Sequence, residues 1–324
     1  MIRTALCDTL GIDHPIILGG MGSGTTPALV AAVSEAGGLG TLGLNARPAD
    51  AVAPLVAKVR EATAKPFGVN FLLFNLDEAA FEAALEARPQ VLSLAWARPD
   101  QELAPPIARA HDAGGVVMYN VGNVKEARRA AEAGADIIVA QGTEGGGHVG
   151  WMGTLPLVPM VVDAVAPKPV VAAGGIADGR GLAAALALGA QGVLLGTRFL
   201  ATDESPLHPN FKAAIVESDG HDTELAAFPD TARGQLWPGA MARVRRNAFY
   251  HRWAGREWAA REAQAEITAG LNAARESGNA DEALLLIGQD AGLIHEVLPA
   301  GDVVRRIAAD AEAYLGRMAG LPRR

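Results

Sequence analysis

A pattern that recurs along the first 200 residues limits this 324-residue chain to very few folds. An amphipathic stretch ends at glycine and a short aliphatic run follows at once, as at Gly37, Gly114, Gly134 and Gly189. Glycine after a helix accepts the left-handed conformation that ends the helix. An apolar run without alternation is typical of a strand that is buried on both faces. The pattern therefore predicts helices that alternate with parallel strands.

Eight such strands are predicted before residue 200. Two of them start after a Lys-Pro pair, where proline removes no ladder hydrogen bond. Eight strands alternating with helices favour an α/β protein with a (β/α)8 TIM barrel over a doubly wound sheet. The predicted strands lie at 15–19, 39–43, 67–71, 91–95, 116–120, 136–141, 169–174 and 192–196.

The character of the sequence changes after residue 200, where prolines, histidines and long helical stretches replace the repeat. We expect a barrel at 1–204, a mainly helical cap or insertion at 205–300 over one barrel end, and a C-terminal segment at 301–324. A last helix is predicted at 301–318, packing back on the barrel. One helix is also predicted at 253–278, where mixed charge indicates a solvated face.

Composition excludes several classes of protein. Half of the chain is hydrophobic and 20% is charged, which argues against disorder. Lysine and arginine number 28 against 36 acidic residues, and this net charge of −8 argues against a nucleic-acid partner. The single cysteine, Cys7, excludes a disulfide framework. No metal-site spacing, signal peptide or membrane-length apolar run is found, so we expect a cytoplasmic protein without metal or membrane contact.

Two glycine-bearing loops follow the last two predicted strands, at 173–181 and 195–198. The corresponding loops of TIM barrels commonly bind phosphate, because glycines let backbone N–H groups approach the anion. The sequence therefore predicts phosphate binding at these loops. The alternative is that both are only tight turns.

A third loop, at 141–150, follows strand six and contains three consecutive glycines before His148. Ordering such a run is costly, so an ordered loop would need a ligand close to its backbone. Histidine titrates near neutral pH and suits proton abstraction. The alternative is a flexible surface loop with an exposed histidine.

These three loops carry a resemblance to a known family. Residues 141–148 (QGTEGGGH), 172–181 (AAGGIADGRG) and 194–199 (LLGTRF) resemble motifs of nitronate monooxygenases, which are FMN enzymes. Further similar segments are 19–22, 36–39, 66–70 and 288–294, so the resemblance covers nearly the whole chain. The sequence departs from the family pattern at Gly145, where alanine is usual, and at Leu18, where glutamine is frequent.

The resemblance implies that His148 is the catalytic base and that FMN is the cofactor. It implies an FMN phosphate on the loops of Gly174, Gly175, Gly196 and Thr197, with the flavin ring against the first loop. The positions that fall where the family contacts FMN are Gly20, Met21, Gly22, Asn70, Gln141, Gly146, Gly147, Gly174, Gly175, Leu194, Leu195, Gly196 and Thr197.

The implied reaction is oxidation of alkyl nitronates or nitroalkanes by O2 to carbonyl compounds and nitrite, so the expected partners are a small-molecule substrate and O2. Enoyl-[acyl-carrier-protein] reductases and NADH:quinone reductases share the barrel and several motifs, and they stay as alternatives. Gln141 favours the monooxygenases, since the enoyl reductases tend to have glutamate there. A non-catalytic barrel that binds a phosphorylated ligand is a further alternative. Oligomeric state stays open, with a homodimer as one arrangement.

Pocket residues are harder to assign from the sequence, because the cap has no motif that places them. Trp151, Trp237 and Phe249 are candidates for the substrate pocket, and ordinary packing is the alternative for each.

Overall fold

A computed structural model describes residues 2–45 and 47–320. The strands are β1 (Ile16–Leu18), β2 (Gly40–Gly43), β3 (Phe67–Leu72), β4 (Val91–Ala95), β5 (Val116–Val121), β6 (Ile137–Gln141), β7 (Gly147–Val149), β8 (Val170–Ala173), β9 (Gly192–Leu195), β10 (Thr223–Ala226) and β11 (Met241–Arg245).

The helices of the barrel region are α1 (Ala5–Leu10), α2 (Pro27–Glu35), α3 (Ala49–Ala62), α4 (Glu78–Glu86), α5 (Ala104–Asp112), α6 (Val124–Glu132), α7 (Thr154–Val165), α8 (Gly179–Ala187) and α9 (Thr197–Leu200). Those that follow are α10 (Pro209–Val216), α11 (Phe228–Ala232), α12 (Ala248–Trp253), α13 (Glu257–Glu262), α14 (Gln264–Ser277) and α15 (Ala300–Ala319).

Eight parallel strands form the barrel, in the order β1-β9-β8-β6-β5-β4-β3-β2. A bridge between Ile17 and Leu39 joins the first and last of these strands and closes the sheet. All eight predicted strands are found, each end within one residue of its prediction. The predicted α/β TIM barrel is therefore confirmed.

Local sequence explains why the barrel helices end where they do. Gly37, Gly114, Gly134 and Gly189 all have left-handed backbones, with φ between +83° and +107°. Helix starts are set by side-chain caps, since Asn123 accepts the backbone N–H of Glu126 and begins α6. A buried strand follows each of these glycines directly, as the repeat in the sequence predicts.

The apolar core has two layers separated by the barrel wall. Side chains inside the barrel, such as Ile17, Val139 and Val171, pack with Cys7 of α1. Alternate strand residues, such as Ile16 and Ile138, pack outward against the helices. The hydroxyl of the residue before α1, Thr4, donates to the carbonyl of Gln191, just before β9, so α1 covers the amino-terminal end of the barrel. The opposite end stays available for a functional site.

Residues 205–300, which are called the cap below, contain both helices and strands. Strands β10 and β11 pair antiparallel, and β11 also pairs with β7 from the loop after β6. This three-stranded sheet has no counterpart in the sequence prediction. The single helix predicted at 253–278 is wrong: Gly255 adopts φ +72° after α12, and Ala263 separates α13 from α14. Helix α15 packs on α8 and α2.

No helix in the described part of the chain is long and apolar enough to cross a membrane.

Candidate active site

The sequence-predicted ligand residues gather at the carboxyl end of the barrel. They lie near the end of, or just after, strands β1, β3, β6, β8 and β9, and parallel strands in a closed sheet end on the same side. His148 lies on β7, which the second sheet holds above that end through its pairing with Ala242 of β11. One face of the molecule therefore carries all of the predicted site.

The loop after β1 lies directly on β3. A Cβ added to Gly20 would be 2.3 Å from the Cβ of Asn70, so only glycine fits there. The Asn70 amide is buried and donates to the Ser93 carbonyl oxygen at 3.1 Å, which fixes its orientation. Gly22 is left-handed, with φ +52°. Met21 lies close to Gly196, with its Sδ 3.4 Å from the position of a Cβ there.

Gln141 at the end of β6 is oriented by a neighbour. The Asn120 amide Nδ2 donates to Gln141 Oε1 at 2.6 Å. The Asn120 Oδ1 atom is buried without a hydrogen-bond partner. Thr143 Oγ1, in the next loop, is likewise buried and unpartnered. Buried polar atoms are usually paired, so these two atoms would be satisfied by a ligand or a bound water.

The glycine-rich loop after β6 packs tightly against the chain near residue 288. A Cβ on Gly146 would lie 2.6 Å from the Gly288 backbone nitrogen, whereas Gly147 (φ +73°) has open space around it. The Glu144 carboxylate accepts hydrogen bonds from the Thr154 backbone N–H and hydroxyl, all at 2.9 Å. The loop is thus ordered by its own contacts.

The loop after β8 interlocks with the glycine-rich loop. Gly174 and Gly175 have φ of +92° and +72°. A Cβ on Gly174 would be 2.7 Å from the carbonyl oxygen of Gly142. The Thr154 hydroxyl also contacts the Gly174 carbonyl oxygen, at 2.9 Å.

The loop after β9 is tied to the chain near residue 290. The Gly288 backbone N–H donates to Thr197 Oγ1 at 3.0 Å. Leu194 and Leu195 end the strand, and Gly196 precedes the short helix α9. Burial raises the pKa of the nearby Asp290 carboxyl to about 7, against the opposing effects of a backbone N–H, the Thr197 hydroxyl and the Arg198 charge. Asp290 is therefore protonated more readily than an ordinary aspartate.

His148 forms a buried pair with a carboxylate from the cap. Its Nε2 lies 2.9 Å from Asp230 Oδ1 and 3.0 Å from Oδ2. The two side chains are only 8% and 11% exposed. The alternative of an exposed histidine on a flexible loop is therefore wrong. Its other ring nitrogen, Nδ1, has no hydrogen-bond partner among the described residues.

An indole ring covers the imidazole of His148. The Trp237 and His148 ring centroids are 3.4 Å apart and the rings are nearly parallel, at 9°. Trp237 also contacts Phe74 and Trp96, with centroids 4.9 and 5.9 Å away. Trp96 has a left-handed backbone, φ +57°, an uncommon conformation for an aromatic residue that is typical of functional sites.

The other two aromatic candidates lie elsewhere. Phe249 is buried in the apolar core of the cap, and Trp151 is 70% exposed. Sequence reasoning missed Asp230, which is 82 residues from His148 and carries no motif. The hydrogen bond between Asn120 and Gln141, which joins two neighbouring strands, is likewise not predicted from the sequence.

Comparison with known proteins places these features in a family. The family model described as nitronate monooxygenase matches residues 3–310. A "(3aS,4S,5R,7aS)-5-hydroxy-7a-methyl-1-oxo-octahydro-1H-indene-4-carboxyl-CoA dehydrogenase" of Mycobacterium tuberculosis is 35% identical, over 97% of both chains. A nitronate monooxygenase of Paraburkholderia phytofirmans is 33% identical, over 76% of this chain and 77% of that protein.

A solved structure agrees with the same grouping. FabK from Thermotoga maritima superposes with a TM-score of 0.89 at 36% identity, over 99% of both chains. The barrel, the loops at its carboxyl end and the family match over nearly the whole chain lead to one assignment. This chain belongs to the nitronate monooxygenase family and is a flavin-dependent oxidoreductase.

Proposed function

We propose that this protein binds FMN and oxidises alkyl nitronates and nitroalkanes with O2 to carbonyl compounds and nitrite. The observation that carries the proposal is the buried His148–Asp230 pair above the carboxyl end of the barrel. A histidine held in position by a carboxylate suits removal of the proton next to a nitro group. The family match supports the reaction type.

The residues at the barrel end suit FMN. Gly174 and Gly175 both have left-handed backbones, a conformation in which successive N–H groups can receive a phosphate. The unpartnered Asn120 Oδ1 and Thr143 Oγ1 and the oriented Gln141 amide offer polar contacts to a heteroaromatic edge.

In this assignment the loops after β8 and β9 would hold the flavin phosphate, and the loop after β1 would contact the ring. The residues that would hold it are Gly20, Met21, Gly22, Asn70, Gln141, Gly146, Gly147, Gly174, Gly175, Leu194, Leu195, Gly196 and Thr197. When bound, FMN supplies the electron-transfer and oxygen chemistry.

The protein supplies the proton chemistry. Because Asp230 lies against Nε2, that nitrogen carries the proton and donates to the carboxylate. Nδ1 then keeps its lone pair and accepts the α-proton of a neutral nitroalkane. The Asp230 charge stabilises the imidazolium that forms. Trp237 covers one face of the imidazole ring.

The test compares two forms of one substrate. His148→Ala should lower turnover of a neutral nitroalkane by about 10²–10⁴-fold, because a general base contributes on that order. Turnover of the corresponding nitronate, which has already lost the proton, should fall much less. Flavin content measured by absorbance serves as the control. Equal loss with both forms would remove His148 from the role of base.

A second candidate function is redox chemistry on a coenzyme A thioester. The relative that is a carboxyl-CoA dehydrogenase matches over 97% of both chains, a greater share than the nitronate monooxygenase relative. A proton next to a thioester carbonyl is also acidic, so the same base would serve. Anaerobic bleaching of the flavin by a coenzyme A thioester, with no nitrite formed from nitronate in air, would favour this function over the first.

A further inference from the structure

The indole nitrogen of Trp237 is a buried hydrogen-bond donor. Its Nε1 atom is inaccessible to solvent and forms no hydrogen bond with any of the described residues. An indole N–H can donate but not accept, and a buried donor without a partner costs about 1–3 kcal/mol. Buried tryptophans usually pair this group for that reason. The N–H of Trp237 is therefore available to a ligand.

The base of the proposed active site lies directly against this donor. The Trp237 and His148 rings are nearly parallel, with centroids 3.4 Å apart. Asp230 occupies the Nε2 edge of the imidazole. A buried N–H beside that carboxylate would pair with it, so Nε1 of the indole lies away from the Asp230 edge. The indole N–H and the Nδ1 atom of His148 are therefore both on edges of the stack that Asp230 leaves free.

The segment that carries Trp237 also reaches the barrel. The indole meets the ring of Trp96 at 83°, with centroids 5.9 Å apart. Pro238, the next residue, lines a small cavity together with Trp96 and Asn120. Asn120 belongs to β5, near the carboxyl end of that strand. The indole therefore lies between His148 and the strand ends that carry the predicted ligand residues.

We propose that Trp237 is a catalytic residue whose Nε1–H donates to the substrate oxygen on which negative charge develops. This role rests on the proposed function of His148 as the base. When a neutral nitroalkane is deprotonated, the α C–H bond breaks and its proton goes to Nδ1 of His148. The electron pair of that bond forms a C=N double bond, and the N=O π pair moves onto a nitro oxygen. A donor held in place for that oxygen stabilises the transition state.

A neutral donor suits this position better than a cation. A lysine or arginine stacked on His148 would repel the imidazolium that forms when the proton is transferred. The indole N–H offers a dipole without a net charge, so it stabilises the oxygen and leaves the imidazolium undisturbed. The flat ring also packs on the imidazole, which the observed stack shows.

The kinetic test removes the N–H and keeps an aromatic ring on His148. In Trp237→Phe, kcat for nitroethane should fall about 10²-fold, the order that one such donor contributes. The isotope effect with 1,1-dideuterated nitroethane should stay at least as large as in the wild type, because proton removal then limits the rate more strongly. Trp258→Phe replaces a 72% exposed indole of the same cap and should leave both values unchanged.

A binding measurement tests the donor without turnover. Isobutyrate has the charge and the planar pair of oxygens of the nitronate of 2-nitropropane, but it has no reactive C=N bond. It is titrated into the FMN-loaded protein, and the flavin absorbance is followed. The Kd should be about tenfold higher in Trp237→Phe than in the wild type, because one hydrogen bond to the anion is lost. Trp258→Phe should bind isobutyrate like the wild type.

The proposal is overturned if Trp237→Phe keeps either the wild-type kcat or the wild-type Kd, or if isobutyrate does not bind the wild type. An N–H directed at the ring of Trp96 would give unchanged values together with a lower free energy of unfolding. A fall in kcat with loss of the isotope effect also overturns it, because a step other than proton removal would then be slowed. A wild type that forms no nitrite from nitroethane contradicts the proposed function, and the isobutyrate titration still decides whether Trp237 is the donor.

Discussion

The two nitrogens of His148 have different surroundings, and this difference determines what the ring does. Nε2 is held by both oxygens of Asp230, whereas Nδ1 has no described partner. A carboxylate on one nitrogen fixes the proton there and leaves the other as a base. Asp230 is therefore a positioning residue, which acts through His148.

Replacing Asp230 with asparagine should slow proton removal. The amide cannot stabilise the imidazolium, and its NH2 group favours the tautomer with the proton on Nδ1. We expect about a 10²-fold loss of kcat for a neutral nitroalkane, a smaller loss for the nitronate, and a displaced pH–rate profile. Asp222→Asn, which removes a cap carboxylate paired with Arg245, is the control. A pH profile that keeps its shape would show that Asp230 only supports the fold.

At this scale the sequence predicts some residues and not others. His148 and the loop glycines follow from local motifs next to strand ends. Asp230 does not, because the contact joins strand β7 to helix α11, at positions 82 residues apart. Trp237 was a candidate from residue type alone, and only its stacking distinguishes it from Phe249, which packs in the cap core.

At the scale of the element, the loops after β6 and β8 form one interlocked unit. Gly174 is left-handed and also faces the Gly142 carbonyl, whereas Gly114 at the end of α5 has a similar φ of +83° with nothing within 4 Å. Alanine substitutions at Gly174 and Gly114 therefore distinguish the cost of a left-handed backbone from the cost of a steric clash.

Gly114→Ala should cost about 1 kcal/mol of unfolding free energy from the left-handed backbone alone. Gly174→Ala should cost about 3 kcal/mol, because a methyl group at 2.7 Å from the Gly142 oxygen also pushes the two loops apart. Urea unfolding measures both values. Flavin affinity should fall only in Gly174→Ala. Equal free-energy losses in the two variants would mean that the loops separate without cost.

The segment that carries Trp237 is bounded by two left-handed glycines, Gly234 and Gly239, with φ of +65° and +70°. Between them Leu236 is 85% exposed, while Trp237 turns inward onto His148. The indole of Trp237 contacts His148, Phe74 and Trp96, so we expect the burial of His148 to depend on that ring.

Trp237→Ala should expose the imidazole and make it react several-fold faster with diethyl pyrocarbonate. Trp258→Ala removes a 72% exposed indole from the same cap and is the matched control. The rate is followed by the absorbance of the modified histidine, with His148→Ala as the blank. An unchanged rate would show that other groups shield the ring.

At the scale of the whole molecule, the barrel is predictable because its signals are local. Each glycine stop and apolar run lies within about ten residues, and the parallel order follows from their repetition. The second sheet is different. Strand β7 has three residues in a glycine-rich loop, and its pairing with β11 joins segments almost a hundred residues apart. Such a strand exists through tertiary pairing rather than intrinsic propensity.

That pairing connects the cap to the barrel, and Arg243 of β11 strengthens the connection. Arg243 is 5% exposed, and its Nε donates at 2.8 Å to the carbonyl of Thr143 in the loop after β6. Its neighbour Arg245 pairs with Asp222 inside the cap, away from the barrel. Two arginines of one strand thus have separate structural roles.

Arg243→Met should therefore loosen the cap on the barrel, whereas Arg245→Met should not. Removing the buried donor leaves the Thr143 carbonyl without it, which costs about 1–3 kcal/mol. Because the same strands hold His148, we expect faster amide hydrogen exchange at Gly147–Val149 and weaker turnover of neutral nitroalkanes in Arg243→Met alone. Equal exchange in the two variants would mean that the β7–β11 ladder holds the cap without the arginine. Since His148 comes from the barrel loop and Asp230 from the cap, any movement between them separates the base from its carboxylate.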